Sequence, residues 1–170
     1  MFTLAWRVLP KLPEGLVTGA FKLAGDVLWM RRAPQVRQLE ANLRRVIPDA
    51  SRKELRSTSR AATRSYAQYY AEIFTAPGVN AAELARRVTL DAPPELRQSL
   101  ADRSVVLALG HTGNWDYAGF GASRELKTVL TVAEVLEPPE IFEDFLAFRE
   151  ELGMEIVPLD KGTNVFGQLR

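Results

Sequence analysis

The sequence contains no cysteine and a single histidine, His111. Without cysteine there is no disulfide framework, no thiolate metal site and no cysteine nucleophile, and the chain suits a reducing compartment. One histidine and no cysteine leave too few of the usual ligands for a zinc centre, and no metal is expected. No apolar run reaches the about 20 residues that a membrane-spanning helix needs. The most apolar stretch, residues 16–30, is interrupted by Lys22 and Asp26. It also lacks the small-residue cleavage pattern of a secretory signal. No serine sits in a nucleophile elbow, which argues against a serine hydrolase. Internal repeats and low-complexity tracts are absent.

What is present is a globular composition. A chain of 170 residues that is 46% hydrophobic and 25% charged can bury one sizeable core, so a single domain is expected. The net charge of +1 hides an asymmetry: residues 1–64 carry a net +8 and the remainder a net −7. A basic first part points to an anionic partner, either a membrane surface or a nucleic acid. The arginines share helices with large apolar faces and no nucleic-acid motif occurs, which favours the membrane. Residues 16–30 then read as an amphipathic helix in the membrane interface, with Trp6 and Trp29 as headgroup-level anchors. The same pattern also fits an ordinary buried helix.

Local signals divide the chain at about residue 76. Pro34 opens a helix in which Val36, Leu39, Leu43, Val46 and Ile47 recur at helical spacing. Ser51 and Glu54 form a capping-box pattern ahead of a helix that runs to about Phe74, closed by Pro77 and Gly78. Tyr66, Tyr69, Tyr70 and Phe74 on that helix are expected in the core. Residues 77–170 alternate. Residues 88–90 can form a short strand, and residues 94–100 a short helix. The β-branched run 104–109 has the pattern of a buried parallel strand. A helix over 115–126, a strand over 128–133, a helix opened by Pro138 and Pro139, and a strand over 154–159 follow. The fold class is therefore α/β: a helical N-terminal region of residues 1–76, then a mainly parallel sheet flanked by helices over 77–170. Three strands leave an open edge after the last, so the sequence is expected to lack its C-terminal part.

The chemistry concentrates where the first strand would end. His111 follows Gly110, and Gly113 permits a turn by tolerating positive φ. Asp116 falls in the first turn of the next helix. Ligands bind at the carboxyl edge of parallel sheets, which is where such a histidine would sit. In that geometry Asp116 accepts the Nδ1 proton of His111 and fixes its tautomer. Nε2 is then left to take a proton from a substrate hydroxyl. The plain alternatives are a satisfied core histidine and an aspartate that only caps its helix.

The stretch Gly110-His111-Thr112-Gly113-Asn114-Trp115-Asp116-Tyr117-Ala118-Gly119 resembles the first block of the lysophospholipid acyltransferase superfamily. It is most similar to the branch holding lipid A acyltransferases and phosphatidylinositol mannoside acyltransferases, and the His-Thr-Gly-Asn-Trp-Asp form favours the mannoside type. Residues 36–46 resemble that branch's RQLRANLRRV segment, residues 131–138 its TVAERLKP, and residues 148–159 its YRESLGFEVLPL, so the resemblance covers nearly the whole chain. It implies transfer of a fatty acyl group from acyl-CoA, as co-substrate and with no other cofactor, to a mannose hydroxyl of a phosphatidylinositol mannoside. His111 would be the general base, Asp116 its orienting partner, and Glu134 a further carboxylate of the catalytic site. Asn114, Trp115 and Arg149 would bind substrate. The plain alternative for Arg149 is a surface ion pair with Glu140 or Asp144 on its own helix. The resemblance further implies a peripheral enzyme at the cytoplasmic face of the plasma membrane, partnered by anionic lipids. A lipid A-type or other lysophospholipid acyltransferase, or an inactive membrane-binding fragment, are the competing readings. A later acidic block of the family lies beyond Arg170.

Overall fold

The structure is a computed structural model that describes residues 2–110, 112–160, 162 and 164–168. It is mostly helical, with one small sheet. In chain order the elements are α1 (Phe2–Val8), α2 (Glu14–Met30), α3 (Pro34–Val46), α4 (Arg52–Thr75), α5 (Ala81–Arg87), α6 (Pro94–Asp102), α7 (Trp115–Glu125), β1 (Val129–Glu134), α8 (Pro139–Glu151), β2 (Met154–Leu159) and α9 (Val165–Gln168). Two compact units result: Val8–Ala76, and Met1–Arg7 together with Pro77–Arg170. No helix among the described residues is long and apolar enough to cross a membrane.

The helical unit is built on α2 against α4. Ser51 caps α4, its Oγ accepting from the Glu54 backbone N–H at 3.1 Å, and Pro34 occupies the first turn of α3. Gly25 lets the two long helices approach, since a Cβ there would stand 3.2 Å from Ala67 Cβ. Val17, Leu55 and Phe74 are buried, with Phe21 and Phe74 ring centroids 5.8 Å apart. Acids are held inside by arginines. Glu40 is buried and meets Arg56 at 2.6 Å, Arg32 at 3.1 Å and the Ser59 hydroxyl at 3.2 Å. Burial opposes its ionisation, but these hydrogen bonds and charges outweigh burial and hold its pKa below the usual carboxylate value. Asp26 is likewise lowered, chiefly by the hydrogen bond from Arg60, with Arg64 adding its charge.

Two tryptophan expectations fail here. Trp29 does not face outward as a lipid anchor. Its Nε1–H lies 3.2 Å from the Arg56 carbonyl and 3.1 Å from the Ser59 hydroxyl, and the Arg56 guanidinium stacks 3.8 Å over its ring. Trp6 packs on Phe145 and Phe148 of its own unit, at centroid distances of 5.0 and 5.9 Å. A tryptophan's polar edge takes an internal partner as readily as a lipid headgroup. Nor is the aromatic face of α4 all core. Tyr66 is 63% exposed and stacks edge-on with Tyr70 at 5.0 Å.

In the α/β unit, β1 and β2 pair in parallel from Val129 opposite Met154 to Glu134 opposite Leu159. Helix α7 packs closely on this sheet: a Cβ on Gly119 would collide with Met154 Sδ, and one on Gly121 would stand 2.6 Å from Val88 Cγ1. Phe120, Phe145, Phe148 and Val157 form the core, each such burial contributing about 1.5–3 kcal/mol before entropy is subtracted. The expected strand over 104–109 does not form. That stretch runs without a ladder and is mostly exposed, Val106 at 96% and Leu109 at 70%. β-propensity states only a preference, and this run joins neither edge of the two-stranded sheet. Residues 88–90 also stay outside any strand, and Val88 fills the space over Gly121 instead.

Candidate functional site

The start of α7 sets the site. Asn114 is the N-cap, its side-chain oxygen accepting from the Tyr117 backbone N–H at 3.1 Å. Gly113 has φ +67°, the left-handed conformation that lets the chain turn into this cap. With the capping done by Asn114, the Asp116 side chain is released for another partner. It is fully buried, and its Oδ1 accepts from Arg149 Nε at 2.8 Å. The helix dipole at α7's amino end favours a carboxylate there as well.

Arg149 reaches Asp116 from α8. Its guanidinium lies 4.3 Å from the Trp115 ring centroid and 5.4 Å from that of Phe145, and its side chain is only 12% exposed. The surface ion pair with Glu140 or Asp144 is therefore not what this residue makes. Two aromatic faces and one carboxylate fix the guanidinium plane, an arrangement that suits arginine and would not suit lysine. Sequence reading had no part for Phe145. It stands four residues before Arg149, on the same face of α8, and that spacing is the signal that could have revealed it.

Of the six sequence-expected site residues, the structure gathers Asn114, Trp115, Asp116 and Arg149 around the start of α7. Glu134 sits exposed at the carboxyl end of β1, and no side-chain hydrogen bond or ion pair is seen for its carboxylate among the described residues. His111 lies outside the described residues. A cleft of about 360 Å³ lies elsewhere, over Leu130, Ile156 and Gln168, and includes none of these six. No group of three or more acids or histidines among the described residues is placed to hold a metal ion.

The buried Asp116–Arg149 pair at the start of α7 sets the geometry, and the comparisons with known proteins set the class. The model of the bacterial lipid A biosynthesis acyltransferases matches residues 1–169, and the chain belongs to that family. Among individual proteins it is similar to the phosphatidylinositol mannoside acyltransferase of Mycolicibacterium smegmatis (strain ATCC 700084 / mc(2)155), at 33% identity over 162 residues. That match covers 95% of this chain and 53% of the relative. The phosphatidylinositol mannoside acyltransferase of Mycobacterium tuberculosis (strain ATCC 25618 / H37Rv) is 35% identical over 167 residues, covering 95% of this chain and 51% of that protein. The chain thus spans about half the length of the curated relatives it matches.

Proposed function

We propose that this chain carries the general-base part of an acyltransferase. It would move a fatty acyl group from acyl-CoA to a mannose hydroxyl of a phosphatidylinositol mannoside. The observation that carries the reading is the buried Asp116, five residues after the chain's one histidine and held by Arg149 at 2.8 Å. In this reading Asp116 receives the Nδ1–H of His111, and His111 Nε2 takes the proton of the acceptor hydroxyl as its oxygen attacks the thioester carbonyl. The tetrahedral intermediate collapses, the C–S bond breaks, and the proton passes to the departing CoA sulfur. An ester and free CoA result. A positioned base of this kind is worth about 10²–10⁴ in rate.

Arg149 holds the Asp116 carboxylate in place, and its remaining N–H donors are those that would meet a substrate oxygen. Asn114 and Trp115 shape the wall of the site, and Glu134 supplies a second carboxylate from the strand end. The match to a family described by lipid A biosynthesis supports a second acceptor, an acylated glucosamine disaccharide. The basic helical region would hold the enzyme, as a peripheral protein, on the cytoplasmic face of the plasma membrane.

Acyl transfer by the purified chain, with palmitoyl-CoA and each acceptor in turn, tests the proposal by mass spectrometry of the lipid products. A mass gain on the mannoside that disappears in His111→Ala is expected. A gain that persists in His111→Ala, or that appears only on the disaccharide, would overturn the assignment of base or acceptor.

A further inference from the structure

A run of aromatic contacts links α1 to the ion pair of the site. Of the described side chains of α1 larger than alanine, Leu4, Arg7 and Val8 are exposed, and Trp6 alone turns inward. Its ring meets Phe145 at a centroid distance of 5.0 Å and Phe148 edge-on at 5.9 Å. Both phenylalanines are buried. With Arg149 they stand at intervals of three and one along α8, which puts all three on one side of that helix. Phe145 is the ring common to two contacts. Trp6 lies 5.0 Å from its centroid, and the Arg149 guanidinium carbon lies 5.4 Å from it.

The contact with Asp116 does not by itself fix a guanidinium. Arginine has many side-chain rotamers to lose, and a single hydrogen bond at Nε leaves the plane free to swing about it. The plane is set by what lies against its faces. Trp115, at 4.3 Å, belongs to α7 beside Asp116 and is part of the site already. Phe145 belongs to α8 with Arg149, and its ring turns about its own side-chain bonds unless a neighbour stops it. Trp6 supplies that neighbour from a third element. Tilted and edge-on ring pairs at about 4.5–7 Å are favourable and directional, so the indole resists rotation of Phe145 as well as filling space.

We propose that Trp6 is a positioning residue for Arg149. Acting through Phe145, it keeps the guanidinium in the orientation from which its Nε–H reaches Asp116 Oδ1. The effect on Arg149 stands on geometry within this one unit. Its consequence for the reaction rests on the acyl-transfer reading, in which Asp116 orients His111. A tryptophan that only fills volume is the competing account, and the two differ in what happens to Arg149 when the ring is removed but the apolar bulk is kept.

Trp6→Leu removes the ring and keeps an apolar side chain, and Trp6→Phe keeps a ring. Nitrogen-15 NMR of the full chain follows hydrogen exchange at Arg149 Nε–H and at the backbone amides of α8. Arg60 Nε–H, which donates to Asp26 Oδ1 at 2.9 Å in the helical unit, is the control. In Trp6→Leu the Arg149 Nε–H is expected to exchange about three- to tenfold faster, the factor that one lost aromatic pair is worth. The α8 amides and Arg60 are expected to stay near the parent, and Trp6→Phe to restore slow exchange at Arg149. Unchanged exchange at Arg149 in Trp6→Leu overturns the proposal. So does a rise there that only matches a rise in the α8 amides, because a loss of packing alone moves both together. In the transfer assay kcat should fall by the same factor in Trp6→Leu and recover in Trp6→Phe. A parent chain that protects Arg149 Nε–H but transfers no acyl group overturns the acyl-transfer reading alone, and the exchange measurement still decides the role of Trp6.

Discussion

The two units solve the problem of charge in opposite ways. In Val8–Ala76 the buried Glu40 and the half-buried Asp26 each meet two arginines, and the partners come from α4 and from the turn between α2 and α3. In the α/β unit the one buried ion pair among the described residues, Asp116 with Arg149, joins residues 33 apart in sequence and carries the proposed chemistry. The helical unit spreads its electrostatics over a redundant network. The α/β unit concentrates its own in one pair at one site. The apolar surfaces differ as well. The helical unit leaves Leu16, Leu23 and Met30 of α2 exposed, whereas the α/β unit leaves Val106, Leu109, Leu130 and Val132 exposed around a sheet of only two strands.

The sharpest way to break the comparison is to remove one cation from each unit. Arg149→Met should destabilise the α/β unit by about 3–5 kcal/mol, because it strands the Asp116 carboxylate in a fully buried position. Arg32→Met, by contrast, leaves Glu40 with Arg56 and Ser59 and should cost about 1 kcal/mol or less, since Arg32 is half exposed. Urea denaturation of the two variants measures the difference, and equal losses would erase it.

Packing gives an intermediate effect. Gly121→Ala sets a methyl group against Val88 at 2.6 Å, and a β-branched side chain yields little, so a loss of about 1–3 kcal/mol is expected. In the helical unit Gly25→Ala meets Ala67 and the Thr63 carbonyl at 3.2 and 3.4 Å. The neighbours there need give only by tenths of an ångström, and the smaller shift in thermal midpoint is expected for this variant.

The smallest effects are those of pH on the helical unit. Glu40 and Asp26 titrate below their usual values of 4.5 and 3.8 when folded. The stability they supply is therefore complete above those values and is lost as pH falls below them toward the lower folded values. Unfolding followed between pH 7 and pH 3 should be flat down to about 5 as far as these groups are concerned and should decline beneath it. At the other extreme, burial and the 3.1 Å contact with Tyr66 push Tyr70 up to about 12. Ultraviolet titration of the phenols should show one tyrosine ionising late, and Tyr66→Phe should bring it earlier.

The same contrast explains what was legible in the sequence. Signals that act within a few residues were read correctly. The Ser51 cap and the proline starts of α3 and α8 depend on neighbours in the chain, and the structure has them. Several features that depend on a distant partner were misread. The run 104–109 has strand composition but pairs with neither β1 nor β2. Trp29 has an anchor's amphipathic ring, but Ser59 and Arg56 of another helix claim it. Arg149 was placed near the site by resemblance, while its pairing with Asp116 across 33 residues left no local trace. The sequence placed Asp116 at a helix start, yet only the capping by Asn114 shows why its carboxylate is free of that duty.

The most direct test of the central claim is acyl transfer from palmitoyl-CoA to a phosphatidylinositol mannoside by the chain and by Asp116→Asn, compared over pH. Asparagine keeps the shape and loses the charge that would orient and stabilise the His111 imidazolium. The account predicts product with the parent chain, a rate lower by about 10²–10⁴ in the variant, and a folded variant by circular dichroism. Parent-level transfer by a folded Asp116→Asn would contradict it.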